Sequence, residues 1–222
     1  MAGFFGGLIG STGAPAFTAT GGTFTVDANG HRHHIFRTSG TLTVSGGEKT
    51  LHALTQNGGF SGTSTNASGV GGNSGEFVYR AVNYTSGNIT ITVGGAAATS
   101  SFSGTGIQVT TSSTTPARAG QSGILLSNLA GGIFTSVANL TTNSGGGGGN
   151  RGAAGFASGG GAGGHPTNGA VGQPGASNTG GGGGGGGYSS ATCFNGDFFF
   201  ECGSSTAAGA GGSGYVVISY AL

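Results

Sequence analysis

Few residues of this chain have types and spacing that could support chemistry, and the most specific are two histidines. His31 and His33 lie two positions apart, so in a β-strand both imidazoles face the same side. One such strand offers too few ligands for a metal ion, whereas three copies around a threefold axis would bring six nitrogens to an axial site. The alternative is a solvated hairpin without metal, and this interpretation is favoured, with no cofactor expected.

The second candidate is an insert bounded by the two cysteines, Cys193 and Cys202. A two-residue turn at Asn195-Gly196 would place Cys193 opposite Phe198, so a disulfide requires a wider loop that brings the two Cα atoms within about 7 Å. An oxidising exterior favours the bridge, and two buried free thiols are the alternative. The spacing does not suit zinc, and the chain has no other cysteine.

The same insert is the best candidate for an interaction loop, because three consecutive phenylalanines stand beside acidic residues. If exposed, the loop could bind a receptor glycan or a neighbouring subunit; if buried, it would fill the core of a glycine-walled assembly. Burial is the expectation, since an exposed triple phenylalanine promotes aggregation. The loop comprises Phe194, Asp197, Phe198, Phe199, Phe200 and Glu201.

No catalytic residue is predicted. Matches to Gly-x-Gly-x-x-Gly follow from the glycine content alone, and none leads into the Gly-Lys-Ser/Thr of a phosphate-binding loop. Only 5% of the residues are charged, and the six basic ones are scattered singly, which argues against nucleic-acid binding. No run of eighteen apolar residues predicts membrane insertion. A surface of Ser, Thr, Asn and Gly suits an extracellular or virion-exposed protein.

The elements that would position these residues are predicted to be short β-strands. Alternation over 23–27 and the Asn29-Gly30 turn predict a hairpin in which Asp27 opposes Arg32 and Val26 opposes His33. A third strand over 41–45 would complete a β-meander. Further strands are expected at 77–80, 88–93, 106–110 and 132–137, the last favoured over a helix. Residues 51–75 are predicted to form loops, and residues 215–220 are predicted to form a strand covered on both faces.

The most unusual feature is glycine, with 56 of 222 residues and an unbroken run from Gly180 to Gly187. Such a run is either a flexible linker or a place where backbones approach very closely, and the apolar strand that follows favours close packing. Collagen is excluded, because glycine does not recur at every third position and only four prolines occur. An ice-binding bundle of polyglycine helices is disfavoured, because the tract lacks a regular Gly-x-x repeat.

The N-terminal residues predict an arm that docks on another protein, because glycines separate apolar side chains that the arm cannot bury itself; a frayed terminus is the alternative. The residues predicted to dock the protein to a particle are Phe4, Phe5, Leu8 and Ile9. The expected organisation is an arm over 1–22, a β-meander-rich body over 23–143, a glycine-rich segment over 144–187, and a loop and closing strand over 188–222.

Four elements occur in an order that resembles the glycine-rich domain of bacteriophage tail fibres and other virion structural proteins. They are 34–44, 83–95, 99–104, and the glycine run followed by Gly-Ser-Gly-Tyr-Val-Val-Ile-Ser-Tyr220. No single motif is specific, and the order carries the resemblance. One departure is that residues 51–75, commonly polyglycine in that family, are not so here.

The resemblance implies a structural virion protein, either a fibre, a spike or a decoration subunit, that contacts other virion proteins and a host-surface glycan or protein. The fold it implies is mainly β, with short antiparallel strands and a glycine-rich loop or polyglycine-II-like region, in an elongated, intertwined homotrimer. It also supports the axial metal at His31 and His33, since His-x-His patterns hold metal ions in trimeric phage fibres. The alternative is a non-viral extracellular filament protein or adhesin.

Overall fold

Fourteen short β-strands, paired antiparallel, make up the regular structure of the described residues. The computed structural model describes residues 15–64, 69–110, 124–126, 129–135, 137–138, 143–144, 155, 159–164 and 170–222. The strands are β1 Thr18–Thr20, β2 Phe24–Ala28, β3 His31–Phe36, β4 Gly40–Ser45, β5 Lys49–Gln56, β6 Phe77–Tyr84, β7 Gly87–Thr92, β8 Ser101–Gly104, β9 Ile107–Thr110, β10 Ile124–Leu125, β11 Asn143–Ser144, β12 Tyr188–Phe194, β13 Phe199–Ser205 and β14 Tyr215–Ala221.

Ten of these strands form two five-stranded sheets that pack face to face. Sheet I has the order β1-β4-β7-β8-β9, and sheet II has the order β2-β3-β14-β5-β6. The remaining strands form two separate two-stranded sheets, β10-β11 and the hairpin β12-β13. The prediction of a mainly β fold with antiparallel strands is therefore confirmed.

Alternating side chains of the two sheets build the core between them. In β4, Leu42 and Val44 are buried while Thr41 and Thr43 are exposed, as the period of two requires. The core side chains from the two sheets are Phe36, Leu42, Val44, Leu51, Ala53, Val78, Tyr84, Ile89, Ile91, Phe102, Val109, Val216, Ile218 and Tyr220, with Ala19 of β1 at the edge.

Strand β14 lies at the centre of sheet II and is buried on both faces. Val216 and Ile218 face sheet I, whereas Tyr215 and Val217 join a second apolar cluster on the outer face of sheet II. Phe134, from the segment that follows β10, covers this outer face. The prediction of a closing strand with both faces covered is confirmed, and its partners are β3 and β5.

The predicted first hairpin is confirmed, but the predicted meander is wrong. Asp27 pairs with Arg32 and Val26 with His33, and the guanidinium and carboxylate of the first pair lie 2.7 Å apart. The third strand, β4, crosses to sheet I instead of pairing with β3. The reason is burial: Leu42 and Val44 form one apolar face that packs against sheet II from the opposite side of the core.

Two further predictions fail among the described residues. Residues 51–56, expected to be loop, belong to β5, which is buried next to β14. Residues 132–135, where a strand over 132–137 had been expected, lie in a turn of 3₁₀ helix and the turn that follows it, with Gly131 of the 3₁₀ helix at φ 65°. In both places the buried contacts with sheet II decide the conformation, against weak local propensities.

The range 1–22 predicted as an N-terminal arm includes residues that belong to the sandwich. Thr18–Thr20 form β1, which pairs with Thr43–Ser45 of β4, so these residues belong to the sandwich. Phe17 packs against the core and contacts the ring of Tyr220. The predicted docking residues Phe4, Phe5, Leu8 and Ile9 lie outside the described residues. No helix within the described ranges has the length and hydropathy needed to cross a membrane.

His34 makes the sandwich sensitive to acid. Its ring is buried and stacks on Tyr220, Nδ1 lies 2.8 Å from the carbonyl oxygen of Gly21, and Nε2 has no hydrogen-bond partner in the described structure. Burial lowers the pKa of His34 below its usual 6.5. The unfolded chain therefore binds the proton more readily, and the stabilising contribution present above about pH 6.5 is lost as the pH falls.

We expect the free energy of unfolding to decrease between pH 7 and pH 5, by up to about 1.4 kcal/mol per pH unit for each such histidine. The measurement is urea denaturation at several pH values. In His34→Gln, whose amide still donates to Gly21 but does not titrate, the dependence should be shallower. Equal slopes for the two proteins would contradict this assignment.

Candidate functional site

A cluster of closely packed glycine segments adjoins one end of the sandwich, and we call it the glycine-packed region. Its centre is the predicted run 180–187, in which every residue is buried. Five other segments surround this run. They are 57–63, 69–76, 159–164, 170–176 and 206–214.

Backbone hydrogen bonds join the central run to all five neighbours. Gly183 N–H donates to Phe60, at 2.9 Å, and the Gly183 carbonyl accepts from Gly72, at 2.6 Å. Where a neighbouring segment forms two bonds with the central run, its two bonded residues are three positions apart in the sequence. The other contacts of the central run include Gly161–Gly182, Gly164–Gly185, Gly184–Gln173, Gly209–Gly184, Gly212–Gly181, Gly75–Gly180 and Gly186–Thr63.

Glycine is required here because the backbones leave no room for a side chain. A Cβ on Gly183 would overlap the carbonyl oxygen of Gly209, and one on Gly184 would overlap that of Ala162. The neighbouring segments carry glycine at every third position, where it faces the bundle interior. These positions are 59 and 62; 69, 72 and 75; 161 and 164; 172 and 175; and 209 and 212. The interpretation that the tract lacks a regular Gly-x-x repeat is therefore wrong for 161–164 and 172–175, where this spacing was the available signal.

A buried polar network joins the glycine-packed region to the sandwich. The Ser100 hydroxyl donates to the carbonyl of Gln56, at 2.6 Å, and Ser100 N–H donates to the side-chain oxygen of Asn57, at 2.6 Å. The Gln56 amide donates to the carbonyl of Gly75, at 2.7 Å. Strand β5 therefore continues without interruption into the first glycine segment, and the two parts are fixed to one another.

The glycine segments run out from the sandwich and return to it in pairs. Segment 57–63 leaves from β5 and 69–76 returns to β6, while 206–214 returns from β13 to β14. Hairpin β12-β13 is thus the connection between the central run and a returning segment, at the end away from the sandwich. Pro15 lies at the opposite end of the sheets, where its carbonyl accepts from Gly47 in the β4–β5 turn, at 3.0 Å.

A disulfide joins Cys193 to Cys202 across this hairpin, with Cα atoms 5.6 Å apart. The turn is wider than the expected two residues, since Phe194 pairs with Phe199 and Cys193 with Phe200. Asn195 stabilises the turn: its side-chain oxygen accepts from the backbone N–H groups of Asp197 and Phe198, at 3.1 and 3.0 Å. The wider loop is what brings the two cysteines into diagonal positions.

The phenylalanines of the hairpin are exposed in the single chain. The expectation of burial concerns a glycine-walled assembly, so it stays a prediction. The exposed fractions are 58% for Phe194, 73% for Phe198, 76% for Phe199 and 48% for Phe200. Phe194 and Phe199 share one face, with ring centroids 4.8 Å apart, while Phe200 lies on the other face beside Cys193. Asp197 is exposed between them, and Glu201 pairs with Thr192 in the ladder.

The histidines His31 and His33 do share one face of β3, but the structure gives them different surroundings. Both ring nitrogens of His33 are engaged, Nδ1 with the Ser219 hydroxyl at 2.7 Å and Nε2 with the carbonyl of Ala28 at 3.1 Å. His33 is fully buried, and burial lowers its pKa. Within one chain, His33 could bind a metal ion only by giving up one of these hydrogen bonds.

A third histidine, which sequence reasoning missed, lies on the same face. The rings of His31 and His52 have centroids 5.7 Å apart, although the residues come from β3 and β5 with β14 between them. Nδ1 of His52 lies 2.7 Å from the Tyr79 hydroxyl. Burial and the nearby His31 lower the pKa of His52, which favours its neutral form. Among the described residues, no three metal-binding side chains come together.

The close packing of the glycine run predicts a sharp difference between two Gly→Ala variants. Gly183→Ala should lower the free energy of unfolding by about 1–3 kcal/mol, because the added methyl group collides with backbone. Gly95→Ala is the control: a Cβ there meets nothing within 4 Å, so its effect should be near zero or slightly stabilising. Thermal or urea denaturation measures both. Equal effects would show that the central run is not tightly packed.

Comparison with known proteins gives this chain no relative. No protein-family model matches it, and neither the characterised proteins nor the solved structures contain a match.

Proposed function

We propose that this chain is a structural virion protein of a bacteriophage, a fibre, spike or decoration subunit whose terminal hairpin contacts the host surface. The observation that carries the proposal is the exposed phenylalanine hairpin at the end of the glycine-packed region, away from the sandwich. Pro15, which follows the predicted docking residues in the sequence, lies at the opposite end, beside Gly47. A protein that attaches to a particle at one end and to a cell at the other has this arrangement.

The hairpin has the properties of a binding element. Four large apolar side chains stand within seven residues, and all are about half exposed or more. The disulfide and the Asn195 turn restrict the hairpin before it binds, which reduces the entropy lost in the complex. Apolar surface on both faces requires a partner that surrounds the tip, so we assign the hairpin to a pocket of a host surface protein or glycan coat.

The glycine-packed region serves as the spacer between the two ends. Hydrogen bonds at every third residue between extended segments are the arrangement expected of polyglycine-II-like packing. Only the central run 180–187 is free of side chains, and every residue of that run is buried. We further propose that the body is elongated and assembles as a homotrimer, as its resemblance to fibre proteins implies, on the exterior of the virion.

The alternative function is that of a non-viral extracellular filament protein or adhesin. The disulfide and the low charge suit that role equally, because both are properties of exposure outside the cell. Immunogold electron microscopy distinguishes the two. Antibodies against this chain should label genome-containing particles under the proposed function, and cell-surface material under the alternative.

Substitution of the hairpin phenylalanines should abolish attachment without unfolding the body. We expect Phe198→Ser/Phe199→Ser to reduce binding to host cells at least about tenfold, since central aromatic anchors carry most of an interface's energy. Phe60→Ser is the matched control, because Phe60 is exposed to 45% but lies outside the hairpin. Cell binding and melting temperature are measured for each. Undiminished binding by the double variant would refute the role of the hairpin.

Deletion of residues 1–14 should prevent incorporation into particles. The deletion spares β1, which begins at Thr18, so the melting temperature should not change. Particles assembled with the shortened chain are analysed by sedimentation and immunoblotting. If the shortened chain is still incorporated, the arm does not dock the protein.

A further inference from the structure

We propose that His31 and His52 together bind a divalent transition-metal ion such as Zn²⁺ on the outer face of sheet II. The inference does not depend on the proposed function. It rests on two imidazoles that the topology brings together from β3 and β5, and neither Nε2 has a hydrogen-bond partner among the described residues.

The fold places the two rings next to each other. His31 pairs with Ala221 of β14, and His52 pairs with Ser219 of the same strand. These two small residues occupy the strand between the histidines, so the imidazoles meet above it with centroids 5.7 Å apart. Two imidazoles bound to one Zn²⁺ at about 2.0–2.1 Å per nitrogen have centroids about 5–6 Å apart. The observed separation already lies in this range.

Each ring also has a contact at Nδ1, the nitrogen that is not proposed to bind the metal ion. Nδ1 of His31 donates to the backbone carbonyl of Asn29, at 2.9 Å, which leaves the lone pair on Nε2. Nδ1 of His52 contacts the Tyr79 hydroxyl, and a metal on Nε2 selects the tautomer in which Nδ1 donates to that oxygen. Metal-binding histidines are commonly fixed in this way by a hydrogen bond from the other nitrogen.

The two imidazole ligands determine which metal ions the site prefers. Neutral imidazole nitrogens suit Zn²⁺, Ni²⁺ and Cu²⁺ better than Mg²⁺ or Ca²⁺. With two ligands from the described residues, the other coordination positions are open to water or to a group of a partner molecule. His33 is no ligand in this arrangement, since both of its ring nitrogens are hydrogen-bonded inside the sheet. The site therefore differs from the axial His31 and His33 site expected from the sequence.

The test is calorimetric titration of the full chain, freed of metal with EDTA, using ZnCl₂. We expect one Zn²⁺ per chain, and at least about tenfold weaker binding for His31→Gln and for His52→Gln. Tyr79→Phe should weaken binding about tenfold, because it removes the hydrogen bond that orients His52. His165→Gln, which removes a histidine elsewhere in the sequence, is the control and should bind Zn²⁺ as the unsubstituted chain does.

Imidazole nitrogen NMR on the unsubstituted chain keeps the proposal testable if a variant does not fold. Zn²⁺ should shift Nε2 of His31 and His52 and leave the two nitrogens of His33 unchanged. The proposal is overturned if Zn²⁺ does not bind, if His52→Gln binds it with unchanged affinity, or if the shifted resonances belong to other histidines.

Discussion

The absence of side chains along residues 180–187 is the constraint on which the rest of the structure depends. The central run exchanges backbone hydrogen bonds with five neighbouring segments, and carbonyl oxygens lie where Cβ atoms would be. Peptide groups buried in this way must all find partners, since an unpaired buried N–H or C=O is costly. The segments 57–63, 69–76, 159–164, 170–176 and 206–214 are therefore held in place by the run, and they in turn fix where the terminal hairpin lies.

The sandwich supplies the buried apolar side chains that the glycine segments lack. Glycine has no side chain to bury and loses more conformational entropy on ordering than any other residue. The apolar cores on both faces of sheet II, together with the network of Gln56, Asn57 and Ser100, anchor the ends of the glycine segments. Strand β14 shows the dependence most directly, because it is the continuation of segment 206–214 and the centre of sheet II.

Local signals in the sequence predicted local structure well. Asn29-Gly30 predicted a hairpin with the correct register, and the continuous apolar run of β14 predicted burial on both faces. The assignment of strands to sheets failed. The alternation of Leu42 and Val44 predicts a strand with one apolar face, but it does not predict which sheet contains that strand. Strand β5 was missed because Thr55 and Gln56, which are polar, are buried there by hydrogen bonding.

The candidate sites show the same limit. The phenylalanines of the cysteine-bounded insert predicted an interaction loop, but the exposure of these side chains depends on the whole fold and on the assembly, which local sequence does not specify. His52 could not be associated with His31, because the two meet only after β14, from the end of the chain, is inserted between their strands. The spacing of glycine at every third position could be seen in the sequence. It occurs in segments that are up to about 150 residues apart, so it did not predict which segments pack together.

Packing through backbone alone also shapes how stability changes with temperature. The heat capacity of unfolding rises with the apolar surface exposed and falls with the polar surface exposed. Unfolding of the glycine-packed region exposes mainly peptide groups, so this region adds little to the heat capacity change, in contrast to the sandwich. Its contribution to stability therefore follows a flatter curve, which retains structure over a wider range of temperature than a hydrophobic core of the same size.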